Sequence, residues 1–229
     1  MAFSRSRALA RALAVALVAA TPVTLLALAV REQTDSVFTL DDRVLDAATA
    51  LSRGNDGLRD ALLTWQAVTQ PLWLNLACTG LCVWTWRRHG MTTRSLWAFG
   101  TLMTVWGGQF LLKLVVQRAR PLLQDPVSHA PGYSFPSGHA ANTTGAVVVV
   151  LLLIWPLLRT TSARLMALAA GLTVVLVTGA DRVLLGVHYP CDVLGGLLVG
   201  GGIALVSWAA FGPMTRARRE RPTPDEEPT

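Results

Sequence analysis

Three short groups of residues in this 229-residue chain carry side chains suited to binding and transferring an anion. The first is Lys113, Arg118, Arg120 and Pro121. Lys113 and Arg120 are seven positions apart, about two helical turns, so the spacing predicts that both face the same way. Pro121 disfavours helix at the residue before it, which predicts that the helix carrying Lys113 ends about there. The second group is Ser134-Phe135-Pro136-Ser137-Gly138-His139. Pro136 suits the first turn of a helix, and Gly138 permits close approach to the backbone. Free N–H groups at a helix start, joined by the Ser137 hydroxyl, form an anion site beside His139. The third group is Arg182, His188 and Asp192, with Pro190 placed to open a helix. A carboxylate four residues beyond a histidine can accept its Nδ1–H and leave Nε2 free as a nucleophile. Each group also has a plainer reading: cations anchoring a helix end, a capping serine, a surface His–Asp pair at a helix start.

The elements that must position these residues are apolar. Between Ala61 and Arg219 the only acidic residues are Asp125, Asp181 and Asp192, too few carboxylates for a surface of that size facing water. Six segments are long enough to span or nearly span a bilayer: Ala8–Val30, Ala61–Trp86, Ser95–Gln117, Ala140–Leu158, Arg164–Ala180 and Asp192–Phe211. The expected fold is all-α, a polytopic six-transmembrane-helix bundle. The first span begins with arginines like a signal peptide, but its apolar run is longer than such a region needs, so a retained anchor is expected. One helical domain is expected over 1–213, followed by a charged, proline-rich disordered tail over 214–229 on the cytoplasmic side. In the acidic loop Arg31–Asp60, Phe38, Val44, Leu45, Ala48 and Leu51 recur at helical spacing. That pattern predicts a helix lying either on the membrane surface or on the bundle. Gly195, Gly196, Gly200, Gly201 and Gly202 let the last span approach its neighbours closely. Cys78 and Cys82 share a helix face as small core residues; with Cys191 they form no metal motif and no expected disulfide.

Charge sets the orientation and excludes one class of partner. Nineteen arginines and the single lysine, Lys113, are gathered in short clusters between apolar runs. A nucleic-acid groove would need a continuous basic face with aromatic platforms, so no nucleic-acid partner is expected. With the N-terminus inside, twelve of the twenty basic residues fall in cytoplasmic segments. Four of the other eight (Lys113, Arg118, Arg120, Arg182) belong to the groups above, which leaves a bias of twelve to four. Both termini are then cytoplasmic, and Trp84, Trp86, Trp97 and Trp155 fall near the cytoplasmic ends of their spans. The same topology brings all three groups to the extracytoplasmic side of a cell membrane. Together they offer four cations, a helix N-terminus, a hydroxyl and two histidines, a donor set matched to a tetrahedral dianion and to phosphoryl transfer. Three acids in the whole membrane core cannot readily supply a two-metal site, so no metal or other cofactor is expected.

Lys113-x6-Arg120-Pro121, Pro136-Ser137-Gly138-His139 and Arg182-x5-His188-x3-Asp192 occur in the order and spacing of a three-part signature. In these the chain resembles the type 2 phosphatidic acid phosphatase (PAP2) superfamily. The resemblance implies that His188 takes the phosphoryl group, that Asp192 orients it and that His139 protonates the leaving alkoxide. It implies that Lys113, Arg120, Ser137, Gly138 and Arg182 bind phosphate oxygens, with Arg118 a further cation often found there. One position departs from the pattern: Asp181 stands where a small polar residue is usual, and can compete for the Arg182 guanidinium. The implied activity is hydrolysis of a membrane lipid phosphate or diphosphate of undecaprenyl diphosphate, phosphatidylglycerophosphate or phosphatidate type, with a lean to the polyprenyl carrier. A vanadium haloperoxidase-like enzyme shares the anion site but is soluble. An inactive anion-binding membrane scaffold would not need both His139 and His188.

Overall fold

Apolar segments that cannot rely on water must satisfy their backbone hydrogen bonds internally, and a helix does so within one segment. The computed structural model describes residues 2–122, 128 and 130–219, and every regular element among them is helical. In chain order these are α1 (Ala2–Arg31), α2 (Asp35–Arg53), α3 (Asp56–Val68), α4 (Pro71–His89), α5 (Thr92–Val116), α6 (Gly138–Ile154), α7 (Thr161–Leu184) and α8 (Pro190–Arg219). A 3-10 turn, Trp155–Leu157, extends α6. Among the described residues five stretches are long and apolar enough to cross a membrane: Ala10–Arg31, Thr92–Val116, Gly138–Leu157, Thr161–Leu184 and Pro190–Phe211.

The second expected span, Ala61–Trp86, is not one helix. α3 stops at Val68, Gln70 takes an extended backbone (φ −55°, ψ 133°), and Pro71 starts α4. A residue before proline avoids the helical region, whereas proline fits the first turn of a new helix. α4 alone has 19 residues, and Arg87, Arg88 and His89 occupy its last turn. It packs against α5 and α6 without matching the other five in length and apolarity. At the other end of the chain α8 runs past Phe211 to Arg219. Residues 214–219, expected to begin a disordered tail, are therefore helical, and residues 220–229 lie outside the described part.

α8 is the central element, with α1 along one side and α6 along another. The α6–α8 contact depends on glycine. A Cβ at Gly200 would lie 2.1 Å from the Ala141 carbonyl oxygen, and one at Gly196 would lie 2.6 Å from that of Ser137. The ring of Phe135, fully buried, occupies the space above Gly195. Cys78 and Cys82 pack with Ala98, Leu102, Val149 and Leu153, the small-core role their spacing predicts. At the end of the bundle away from the three motifs, Arg87, Arg94 and Arg164 sit over the rings of Trp86, Trp208 and Trp155. Such pairs suit a membrane interface, where an amphipathic ring and a cation both find partners.

α2 packs on the bundle, against α7 and α8. Its buried face is mostly polar: Asp41, Leu45, Thr49 and Ser52, spaced as one helical stripe. The Ser52 hydroxyl donates to the Leu184 carbonyl at 2.6 Å, which fastens α2 to the end of α7. Of the apolar residues at helical spacing, Leu45 is buried, whereas Val44 and Leu51 are exposed.

Candidate active site

The third motif spans a sharp reversal. α7 ends at Leu184, Gly186 adopts φ 71°, and Pro190 starts α8 two residues after His188. Asp192, in the first turn of α8, accepts the Tyr189 N–H at 2.9 Å and so caps the helix it belongs to. Sequence spacing predicts a direct bond from His188 to Asp192; the structure interposes a hydroxyl. His188 Nδ1 is 3.5 Å from Asp192 Oδ2 and 3.3 Å from Ser134 Oγ, and Ser134 donates a short hydrogen bond to that same Oδ2. On the other side of the ring, His188 Nε2 is 3.2 Å from Arg120 Nη1. A guanidinium can only donate, so Nε2 accepts and Nδ1 carries the proton. Burial pushes the His188 pKa down to about 4; Asp192 opposes the shift, while Arg120 and Lys113 add to it. The ring is neutral at neutral pH, with its one lone pair directed at the cations.

Those cations arrive differently from expectation. α5 ends at Val116, before Arg118, because Gln117 turns into the left-handed region (φ 55°, ψ 32°). Lys113 and Arg120 therefore do not share a helix face; they meet because the chain after α5 returns to the same carbonyl groups. Lys113 Nζ donates to the Tyr133 oxygen at 2.8 Å, and Arg120 Nη2 reaches that oxygen at 3.3 Å. Arg120 also donates to the carbonyls of Gly132 (2.9 Å) and Val187 (2.7 Å), which joins the segment leading into the second motif to the third. Arg118 is paired with carboxylates through both terminal nitrogens, Nη1 to Asp192 Oδ1 at 2.9 Å and Nη2 to Asp41 Oδ2 at 2.7 Å, which ties it to the Asp192 side of the site.

The second motif begins α6 at Gly138, two residues later than its proline suggests. Pro136 lies outside the helix, after a cis peptide bond, and Ser137 is the N-cap. The Ser137 hydroxyl accepts the Ala140 N–H at 3.4 Å, and its own N–H donates to the Asp192 carbonyl at 2.8 Å, tying the starts of α6 and α8 together. Gly138 leaves room for Gln109, whose Oε1 would lie 3.2 Å from a Cβ there. His139, in the first turn, has Nδ1 3.5 Å from Arg182 Nη1, so the proton of its neutral ring belongs on Nε2. That Nε2 is buried and makes no hydrogen bond of ordinary geometry among the described residues. Arg182, 1% exposed, is held by Asp181 through Nε at 2.8 Å and through Nη2 at closer range, while Nη1 donates to Gln66 Oε1 at 3.0 Å. The unusual acid of the third motif thus takes the guanidinium, as its position suggests.

All three motifs converge on one end of the bundle. Two neutral imidazoles present opposite capabilities there, a lone pair on His188 Nε2 and an N–H on His139 Nε2. Lys113, Arg120, Arg182 and the N-terminus of α6 lie close by. Sequence spacing missed three residues: Asp41 on α2, Gln66 on α3 and the bridging role of Ser134. Asp41 lies in an acidic loop, and its only mark is membership of the polar stripe Asp41, Thr49, Ser52. Among the described residues no three His, Cys, Asp or Glu side chains are grouped to hold a metal ion.

Comparison with known proteins gives a consistent picture. A family model described as the PAP2 superfamily matches residues 94–216. Phosphatidylglycerophosphatase B of Bacillus subtilis is 35% identical over 113 residues, 47% of this chain and 55% of that protein, so the match spans about half the relative's length. Decaprenylphosphoryl-5-phosphoribose phosphatase of Mycobacterium tuberculosis is 33% identical over 154 residues, 64% of this chain and 76% of that one. The crystal structure of a transmembrane PAP2-type phosphatidylglycerolphosphate phosphatase from Bacillus subtilis superposes with a TM-score of 0.73. It covers 90% of this chain and 98% of its own at 24% identity, which establishes a shared fold.

Proposed function

The chain belongs to the PAP2 superfamily, and from that premise we propose that it is a metal-independent lipid phosphatase working through a phosphohistidine on His188. The observation that carries this reading is the state of the His188 ring. Ser134 and Asp192 stand on its Nδ1 side and Arg120 faces Nε2, which supports a nucleophilic lone pair aimed into a cluster of cations. When a phosphate dianion enters, Lys113, Arg120, Arg182 and the N–H groups of Gly138 and His139 can exchange their present partners for its oxygens. His188 Nε2 attacks phosphorus as the P–O bond to the lipid breaks. For that step His139 carries a proton on each ring nitrogen, a state that the bound dianion favours; its Nε2 proton goes to the leaving alkoxide, or to the leaving phosphate of a diphosphate, and the ring becomes neutral. Asp192 stabilises the charge that the His188 ring acquires. Water then attacks phosphorus, its proton passes to His139, and the N–P bond breaks to release phosphate and restore both rings.

The substrate reading is a polyprenyl-linked phosphate or diphosphate in the outer leaflet. Its support is the extent of the match to the mycobacterial relative, whose name specifies a decaprenyl lipid, together with the one-sided placement of the motifs. Six crossings are part of the proposal. α1 ends beside Val116 and Phe135 at the site end, and α5 must start at the far end to deliver Lys113 to the site. α4 is then the return crossing despite its polar last turn. Purified protein in detergent should release phosphate from polyprenyl phosphates and diphosphates faster than from phosphatidate, phosphatidylglycerophosphate or soluble phosphates, with and without chelator. No release from any lipid, or release that requires a divalent ion, would sink the proposal.

A further inference from the structure

Arg118 is a buried cation at the site. Besides Asp192 and Asp41 it contacts two aromatic rings, with its guanidinium carbon 4.9 Å from the Phe38 centroid and 4.1 Å from that of Tyr189. Asp41, fully buried, uses both oxygens: Oδ2 accepts from Arg118 at 2.7 Å and Oδ1 from the Cys191 N–H at 2.9 Å. Asp41 and Phe38 belong to α2, an element outside all three motifs and outside the matched residues 94–216. The geometry points to Asp41 as a positioning residue for the His188 reaction: by holding one arm of Arg118, it limits that arginine to Asp192 Oδ1 and leaves Oδ2 for Ser134 and His188. The inference rests on the phosphohistidine reading.

Its logic is that of a fork with two prongs. A buried guanidinium facing one carboxylate favours the bidentate arrangement, with both terminal nitrogens on both oxygens. In this site that arrangement would take Oδ2 away from the histidine side and neutralise the charge that the imidazolium needs during phosphoryl transfer. Asp41 prevents it by supplying a second carboxylate at the other prong. The three buried groups then carry a net charge of −1, available to His188. Asp41 never meets substrate; it acts through Arg118 and Asp192.

The test compares Asp41→Asn, which keeps shape and removes charge, with the wild type on the best lipid substrate from the phosphate-release panel. We expect kcat to fall about tenfold or more, the usual scale for a group that orients a reacting one, with KM within about twofold. The acid limb of kcat/KM separates positioning from mere loosening of α2. The charged and titratable groups facing His188 are Asp192 on α8, Lys113 on α5, Arg120 in the segment after α5, and His139 on α6. Drawing Arg118 fully onto Asp192 moves the limb to lower pH. Undocking α2 would admit water, relieve the burial and move it to higher pH. The double variant Asp41→Asn/Arg118→Met removes the competitor with its restraint, balances the buried charge where the single variant could misfold, and should recover kcat to within about tenfold of wild type. Unchanged kcat in Asp41→Asn, a limb moved upward, or a double variant below that range overturns the inference. Wild-type protein inactive on every lipid sinks the phosphatase reading instead.

Discussion

His188 is held at both ring nitrogens by groups of opposite kind, and the first consequence is a titration. Burial lowers its pKa to about 4 from an ordinary value of 6.5, so the ring keeps its lone pair well into acid. On a substrate whose own phosphate does not titrate in that window, kcat/KM should stay level down to about pH 5 and fall as pH drops through about 4. An acid limb near the ordinary histidine value would mean that Nε2 is exposed to water. The sign for stability follows from the same shift. The unfolded chain binds the proton first as pH falls from 6.5, so the contribution of His188 to stability declines between 6.5 and about 4. Asp181 makes a second residue-scale prediction. It occupies two nitrogens of Arg182, so Asp181→Ser should free that guanidinium and tighten inhibition by vanadate about tenfold or more, given that a hydrogen bond to a charged group contributes about 1.5–3 kcal/mol. Unchanged vanadate inhibition would show that Arg182 reaches the phosphate despite its neighbour. His139, His188 and Asp192 stand out in sequence because histidines and acids are rare between the apolar runs, and Arg182 stands out only by its spacing from them. Asp41 does not, since Asp35, Asp42 and Asp46 surround it and only the fold distinguishes which one turns inward.

At the scale of elements, glycine in α8 decides how closely the two histidine-bearing segments are brought together. The Cβ of Gly200→Ala would meet the Ala141 carbonyl, a backbone group that cannot rotate aside, whereas that of Gly201→Ala would lie an ordinary 3.6 Å from a Thr144 methyl. Gly200→Ala should therefore cost about 1–3 kcal/mol, read as a lower melting temperature in detergent, and should reduce turnover because α6 carries His139 and α8 carries Asp192. Gly201→Ala should leave both unchanged. Equal melting temperatures for the two variants would refute the close α6–α8 approach. Most of these helices could be read from apolar runs alone. Two boundaries could not: Pro71, inside an otherwise apolar stretch, divides the expected second span into α3 and α4, and Gln117 ends α5 before Arg118. The amphipathic pattern of α2 announced a helix but not the polar stripe it turns to the bundle, because burial of Asp41 and Ser52 depends on partners far away in sequence.

For the molecule as a whole, the basic bias and the gathering of all motifs at one end make a single claim about the membrane. Leu122, 97% exposed beside the first motif, offers a place to test it. With Cys78, Cys82 and Cys191 replaced, Leu122→Cys should react with an impermeant thiol reagent on intact cells; reaction only after lysis would put the site inside. The central claim is the covalent intermediate, and it can be trapped. His139→Ala lacks the acid for a lipid alkoxide, but para-nitrophenyl phosphate has a leaving group that needs no proton. His139→Ala should therefore form the phosphoenzyme and then stall, because the same residue is needed to activate water. Quenched in alkali, where a phosphoramidate survives, and mapped by mass, it should carry about one phosphate per chain on the peptide that contains His188. A burst of nitrophenol with no phosphate on that peptide, or near-normal turnover by His188→Ala, would contradict the mechanism.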